Sequence, residues 1–458
     1  MSESPAAAPG ELRWLVLAFV ATLPLAIACW FDRHLAMDGA NFFVKVLESE
    51  AFFLPASTRV ATNVIQQWAL VLAVQTGVKD LRVLSAVFGF GLLLPFWLGL
   101  AATCRVLPAG QKHFMALPIW AILLIHFPLD GGLVFEGHVM TILVWPVLFL
   151  LLRRERWDGI DALLLFGALG LLAFSYESAI LPELAFVALS VRRVSIATES
   201  RQRRLSLIAG ALALLGAGVA LVGILFPRDS GNRADFADSL LEPWRWPLQW
   251  VGLLAFAGFG VAWARQWRVA MLALASLGFA FGLCWLTGFT VPSRGWVYPN
   301  RTLFLTLAPM VVLVSAWIWK SGVAMPRDGF AACAAVTFAL SVALFVRLEA
   351  WREYRAQVVN IVHGRRGLVP VAETPIWRHA RRTAVNLSEA GLLWDSWNLP
   401  QLCLVWSWPR VQAIILNPPG TSWEPFDPRR ERPLQRYLRY DPALTVAPAG
   451  NPQGSASR

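Results

Sequence analysis

Four stretches of this chain combine residue types that could do group-transfer chemistry. Asp38 opens Asp38-Gly39-Ala40-Asn41-Phe42-Phe43-Val44-Lys45-Val46-Leu47, shortly after a long apolar run. Glu136 and His138 stand together in Asp130-Gly131-Gly132-Leu133-Val134-Phe135-Glu136-Gly137-His138, and Tyr176 and Glu177 in Phe174-Ser175-Tyr176-Glu177-Ser178. Arg294, Tyr298 and Arg301 lie in FTVPSRGWVYPNR, residues 289–301. A carboxylate can take the proton of an attacking hydroxyl as a new bond forms. Guanidinium groups bind phosphate oxygens bidentately and favour the charge that develops on a departing phosphate.

Each of these has a plainer reading. Asp38 could serve only as an N-cap, and Asp32, beside Arg33, competes with it as a base or forms an ordinary interfacial pair. Glu136 could sit in headgroup water, although ionisable groups near membrane depth are costly and usually functional. Arg294 and Arg301 could snorkel to lipid headgroups, and Arg228, Arg233 and Arg245 compete for a phosphate.

The elements that must position these residues follow from composition. The 458 residues are 57% hydrophobic and 15% charged, with a mean hydropathy of +0.54. Soluble domains average about 45–50% apolar and about 25% charged. Apolar runs near the ~20 residues needed to cross a bilayer recur along the chain, which excludes soluble enzymes, disordered chains and disulfide scaffolds. Eleven runs are suited to spanning: 14–30, 83–104, 114–127, 137–152, 160–174, 178–191, 205–226, 248–264, 269–289, 302–319 and 329–346. Residues 60–78 carry Thr62, Asn63, Gln66, Gln67, Gln75 and Thr76, which suits a helix lying in the interface. Within 38–50, Phe42, Phe43, Val46 and Leu47 make one apolar face, again as an interfacial helix would.

Charge sets the orientation. With 60–78 lying flat and the N-terminus in the cytoplasm, the cytoplasmic loops hold 14 Lys and Arg in 40 residues, against 10 in the 97 residues of the outer loops. This is the known bias of inner loops. The net charge of +11 therefore reads as topology, and nucleic acid is set aside. The short polar start has no small-residue cleavage site, so a retained first helix is expected.

The expected organisation is a cytoplasmic tail (1–12), an all-α polytopic membrane domain (13–346) with its first outer loop at 32–82, and a small extracytoplasmic α+β domain (347–446). A disordered tail (447–458) follows. In the C-terminal region Trp351, Trp377, Trp394, Trp397, Trp406, Trp408 and Trp423 accumulate among arginines, as in a small core or an interfacial belt. Residues 403–406 and 411–416 read as short strands. The five cysteines show no paired spacing, and the six histidines show neither HxxxH nor HxxE. No metal or other cofactor is expected, although Asp38 with Glu136 could hold a divalent cation.

The order of one span, an acidic residue soon after it, two interfacial helices and the next span resembles the GT-C superfamily of membrane glycosyltransferases. The resemblance is to the protein-mannosyltransferase and aminoarabinose-transferase branch. It rests on Asp38, 38–50 and 60–78, and covers the arrangement of about residues 12–320. The Asp-Glu pair of the mannosyltransferases is Asp38-Gly39 here, and the Lys-Pro-Pro stretch of the aminoarabinose transferases is Gln66-Gln67-Trp68. The resemblance implies an inverting glycosyltransferase of a bacterial inner membrane. It would move a sugar from a polyprenyl-phosphate donor to a glycan, lipid or protein acceptor at the periplasmic face. Asp38 would then be the base, Arg294, Tyr298 and Arg301 the phosphate site, and Glu136, His138, Tyr176 and Glu177 the acceptor side. The alternative is a non-catalytic lipid-linked glycan transporter or polysaccharide-assembly subunit. Transporters commonly show paired Gly/Pro-broken helices in two halves, and no such pattern is visible in this sequence.

Overall fold

The computed structural model of the chain describes residues 9–36, 38–126, 134, 137–153, 156–226, 327–376, 399–416, 432–441 and 444. Helix α1 (Pro9–Trp30) is the hub. Trp14, Leu17, Ala18, Ala21, Leu25 and Cys29 recur at three- and four-residue steps and are buried. They form one stripe of a 3.6-residue helix. The opposite face, with Val16, Phe19, Val20 and Leu23, is exposed and equally apolar, where a soluble helix would carry charge. At 1.5 Å per residue the 22 residues reach about 33 Å, enough to cross hydrocarbon. Among the described residues, three helical stretches are long and apolar enough to span a membrane: Leu12–Trp30, Leu81–Val106 and Ser200–Leu225.

After α1 the chain makes α2 (Asp38–Ser49) and α3 (Val60–Gln75). Next come α4 (Leu81–Gly91) and α5 (Leu93–Val106), separated only at Leu92, which together make up the single apolar run expected at 83–104. Helices α6 (Ala116–His126), α7 (His138–Leu152), α8 (Gly159–Leu172), α9 (Ile180–Ile196) and α10 (Ser200–Leu225) follow. The runs expected at 248–264, 269–289 and 302–319 lie outside the described residues.

The stretches expected at 38–50 and 60–78 both form helices, the second being α3. Its start lies beside the 175–177 turn, where the Ala61 amide donates to the Phe174 carbonyl at 3.0 Å. Its end leads into α4, whose Ser85 reaches the turn that follows α1. Helix α2 is more enclosed than a surface helix would be. Phe42, Phe43, Val46 and Leu47 are buried as the periodicity predicts, with Phe42 edge-on to Phe53 at 5.5 Å and Phe43 against Phe88 at 6.0 Å. Residues 432–436 of the C-terminal region also pack on α2.

The run expected to end at Val346 is part of a longer helix. Helix α11 (Arg327–Gly364) runs unbroken across the 346/347 boundary, because 347–364 contains neither glycine nor proline before Gly364. Beyond it, β1 (Gly367–Pro370) pairs in parallel with β3 (Ala413–Leu416), and β2 (Arg410–Val411) with β4 (Arg439–Tyr440). Residues 399–406 are helical, which corrects the strand expected at 403–406. That segment is buried on all sides, so its apolar run carries no periodicity to separate helix from strand. Residues 411–416 do form strands.

The opposite end of the bundle gathers the loops that charge assigned to one side. Arg105 pairs with Asp158 at 3.0 Å, Arg153 with Asp161, and Arg193 lies 4.1 Å over the Trp157 ring. Loops 105–112, 153–159 and 192–204 thus meet at one end.

Helix α5 crosses α7 at Gly99, where an added Cβ would fall 1.8 Å from the Ile142 Cγ2. Gly99→Ala must push these helices apart and should destabilise the fold by about 1–3 kcal/mol, as overpacked cores do. A thermal-unfolding midpoint equal to wild type in detergent would contradict this packing.

Candidate functional site

The chain leaves α1 through a turn in which Asp32 adopts a left-handed conformation, φ 59°, a region that aspartate tolerates better than most residues. The Asp32 carboxylate accepts from the Ser85 Oγ of α4 at 2.7 Å and pairs with the Arg355 guanidinium of α11 at 2.8 Å. Trp351, one turn earlier in α11, donates its Nε1–H to the Phe31 carbonyl at 2.8 Å. Arg33 lies 4.5 Å over the Trp351 ring and Arg352 lies 4.8 Å over the Phe31 ring. Helix α11 therefore grips residues 31–33 by two hydrogen-bonded contacts and two cation–π contacts.

His34 is fully buried beside this junction. Its Nε2 lies 3.0 Å from the Ser85 Oγ. Serine has one proton and gives it to Asp32, so Nε2 is the donor and the imidazole is neutral. Nδ1 has no hydrogen-bond partner among the described residues. Burial accordingly pushes His34 down to about 4.

This turn delivers the chain to Asp38, the first residue of α2. The side chain of Asp38 lies outside the described residues, but its neighbour Gly39 shows how tightly the backbone is held. A Cβ on Gly39 would fall 1.8 Å from the His34 carbonyl oxygen and 3.5 Å from the Val134 Cγ2. Val134 itself is buried. It stands two residues before Glu136 in the sequence, and it is the one residue of 127–136 that the structure describes. Glu136 lies outside the described residues; His138 opens α7, with its side chain outside them as well. Arg294, Tyr298 and Arg301 also fall outside, as do the competing Arg228, Arg233 and Arg245.

Tyr176 and Glu177 are described, and they bind the first outer loop. Glu177 accepts both contacts of the Arg59 Nε, at 3.0 and 2.9 Å, and a 2.8 Å bond from the Thr58 Oγ1. The Arg59 guanidinium stands 5.1 Å over the Tyr176 ring. Thr62 donates to the Ser175 carbonyl at 2.9 Å. These contacts fix the start of α3 against the turn before α9, a positioning role that the sequence did not assign.

Helix α3 carries the polar row that argued against its spanning. Thr62, Asn63, Gln66 and Gln67 are all buried. Gln67 pairs with both backbone groups of Phe53, donating to the carbonyl at 2.9 Å and accepting from the amide at 2.7 Å. Asn63 has neither amide atom bonded among the described residues. A buried, unsatisfied amide costs about 1–3 kcal/mol.

Sequence reasoning missed Ser85, Arg59 and Arg355 as partners of this end. Arg355 lies over three hundred residues from Asp32, and no spacing rule links such positions. The described residues contain no group of three or more His, Cys, Asp or Glu side chains placed to hold a metal ion. No family model, curated protein or solved structure matches this chain.

Two outcomes test the junction. Asp32→Asn and Arg355→Leu should each destabilise the protein by about 1–3 kcal/mol, with a clear coupling term in the double variant. Strict additivity would mean that the pair carries no interaction. Because His34 is lowered in the fold, the unfolded chain binds more protons between its ordinary value near 6.5 and about 4. Stability is therefore intact above that window and falls as pH drops through it. His34→Gln, which keeps a donor for Ser85, should flatten this slope in denaturant titrations run from pH 7 to 4.

Proposed function

We propose that this protein is an inverting glycosyltransferase of the membrane, using a polyprenyl-phosphate-linked sugar and an acceptor hydroxyl at the face that carries the first outer loop. The observation that supports it most is the convergence at Gly39. The turn from α1, the start of α2 and Val134 come together beside Asp38, inside an end of the bundle rich in polar groups and packed by α11 and residues 432–436.

The chemistry requires a carboxylate facing the acceptor, a site for the leaving phosphate and little free water. In this reading Asp38 takes the acceptor proton as the hydroxyl oxygen bonds to C1 of the sugar. The C1–O bond to the carrier breaks on the opposite side, and Arg294 and Arg301, with Tyr298, hold the phosphate as its charge grows. Glu136 and His138 shape the acceptor side, and Tyr176 and Glu177 act on it through Arg59 and α3. The donor is anionic and lipid-borne, which suits a basic loop beside a span. The Asp38-Gly39 pair and the aminoarabinose-transferase likeness leave the sugar and acceptor open.

Asp38→Asn should abolish sugar transfer in membranes while the protein stays folded and at wild-type abundance; full transfer by that variant would remove Asp38 as the base. Mass spectrometry of lipids retained by the purified protein should find a polyprenyl phosphate, with or without a sugar. The Arg294→Ala, Arg301→Ala double variant should lose it. Equal retention by wild type and variant would move the phosphate site elsewhere.

A further inference from the structure

Helices α9 and α10 pack along one another as an antiparallel hairpin, and α10 presents small residues to the seam: Ala209, Ala213, Gly216, Ala217 and Ala220 are buried. Three polar side chains on the α9 side face three glycines of α10 in steady register. A Cβ added at Gly223 would meet the Glu177 Cγ at 2.8 Å, at Gly216 the Glu183 Oε1 at 2.1 Å, and at Gly210 the Ser190 Cβ at 3.2 Å. Each polar group thus fills a notch that exists because α10 has no side chain there.

The three differ in what they bond. Glu177, at the end of the bundle, is spent on Arg59 and Thr58. Glu183, one turn into α9, is fully buried, and neither of its carboxyl oxygens has a hydrogen-bond partner among the described residues. Ser190, two turns further on, is also buried with its hydroxyl unbonded. The elements packed on α9 are α10, α7 and the 177–179 turn. The first presents Gly216 to the carboxyl, the second has His138 at its first position as its one ionisable residue, and the third has Glu177, already paired. Among the described side chains of these elements, no cation pairs with Glu183.

An isolated carboxylate inside an apolar hairpin is among the most costly groups a fold can hold. Glu183 belongs to no group of three or more His, Cys, Asp or Glu placed to hold a metal ion among the described residues, and the Gly216 backbone closes one side. We infer that Glu183 is a proton-binding site within the α9–α10 seam, a carboxylic acid whose ligand is a single proton. This is independent of the glycosyl-transfer reading. It gives the hairpin a neutral, reversible proton store between the Arg59–Glu177 pair at one end and the Arg193–Arg153–Asp161 cluster at the other.

Infrared difference spectroscopy of the full-length protein in lipid at neutral pH tests this. Wild type should show a carboxylic-acid C=O band that shifts in deuterated water and is lost in Glu183→Gln. Spectra that superimpose in that region would overturn the assignment. A second measurement needs no variant to fold: dicyclohexylcarbodiimide, a membrane-soluble reagent selective for protonated carboxyls, should form an adduct on the wild-type peptide that contains Glu183. Absence of that adduct from the folded protein would equally overturn it.

Discussion

The carboxylate of Asp32 is the constraint on which one end of the molecule depends. It ends an apolar helix and points back into a packed interior, where a charge without partners costs more than the fold can offset. Two partners satisfy it, and each comes from a different helix: a hydroxyl from α4 and a guanidinium from α11. Three helices are thereby pinned at one level. The remaining contacts follow in sequence, since Ser85 committed to Asp32 leaves its oxygen to orient His34, and His34 in turn presents its carbonyl where only glycine fits at position 39.

The same accounting explains why polar groups collect at the two ends. Between them the bundle offers few partners, so charged side chains that stay must be neutralised locally. At the far end Asp158 and Asp161 cap α8 reciprocally, while Asp161 also takes the Arg153 guanidinium and Arg193 covers Trp157. At the near end the Glu177–Arg59 pair and the Gln67 clasp on Phe53 hold α3 across the bundle. Exposed Leu207, Leu214, Leu215 and Leu221 on α10 have no polar counterpart because an apolar surrounding is the solvent for that face.

The C-terminal region is part of this arrangement. Helix α11 carries the chain from the α1 face directly into the contacts with Phe31 and Asp32, and further on Arg436 pairs with Glu50 at the end of α2. The 32–82 segment is therefore held at its start and at the end of its first helix by residues from the last quarter of the chain. This is a long-range closure that keeps the Asp38 segment in one place.

Composition and periodicity were enough to read the helices, because burial in an apolar medium requires unbroken apolar runs and internally bonded backbone. The helix at α3 and the apolar face of α2 in Phe42, Phe43, Val46 and Leu47 were legible. Tyr176 and Glu177 were singled out for the acceptor side, but their contact with Arg59 was not legible. Neither were the continuation of α11 past Val346 nor the choice of helix for 403–406, since each depends on what lies beside the segment. Local sequence specifies periods and caps; which carboxylate meets which guanidinium is decided only when helices distant in the chain are brought to one level. Asp32 and Arg355 owe their pairing to that packing, and no spacing along the chain records it.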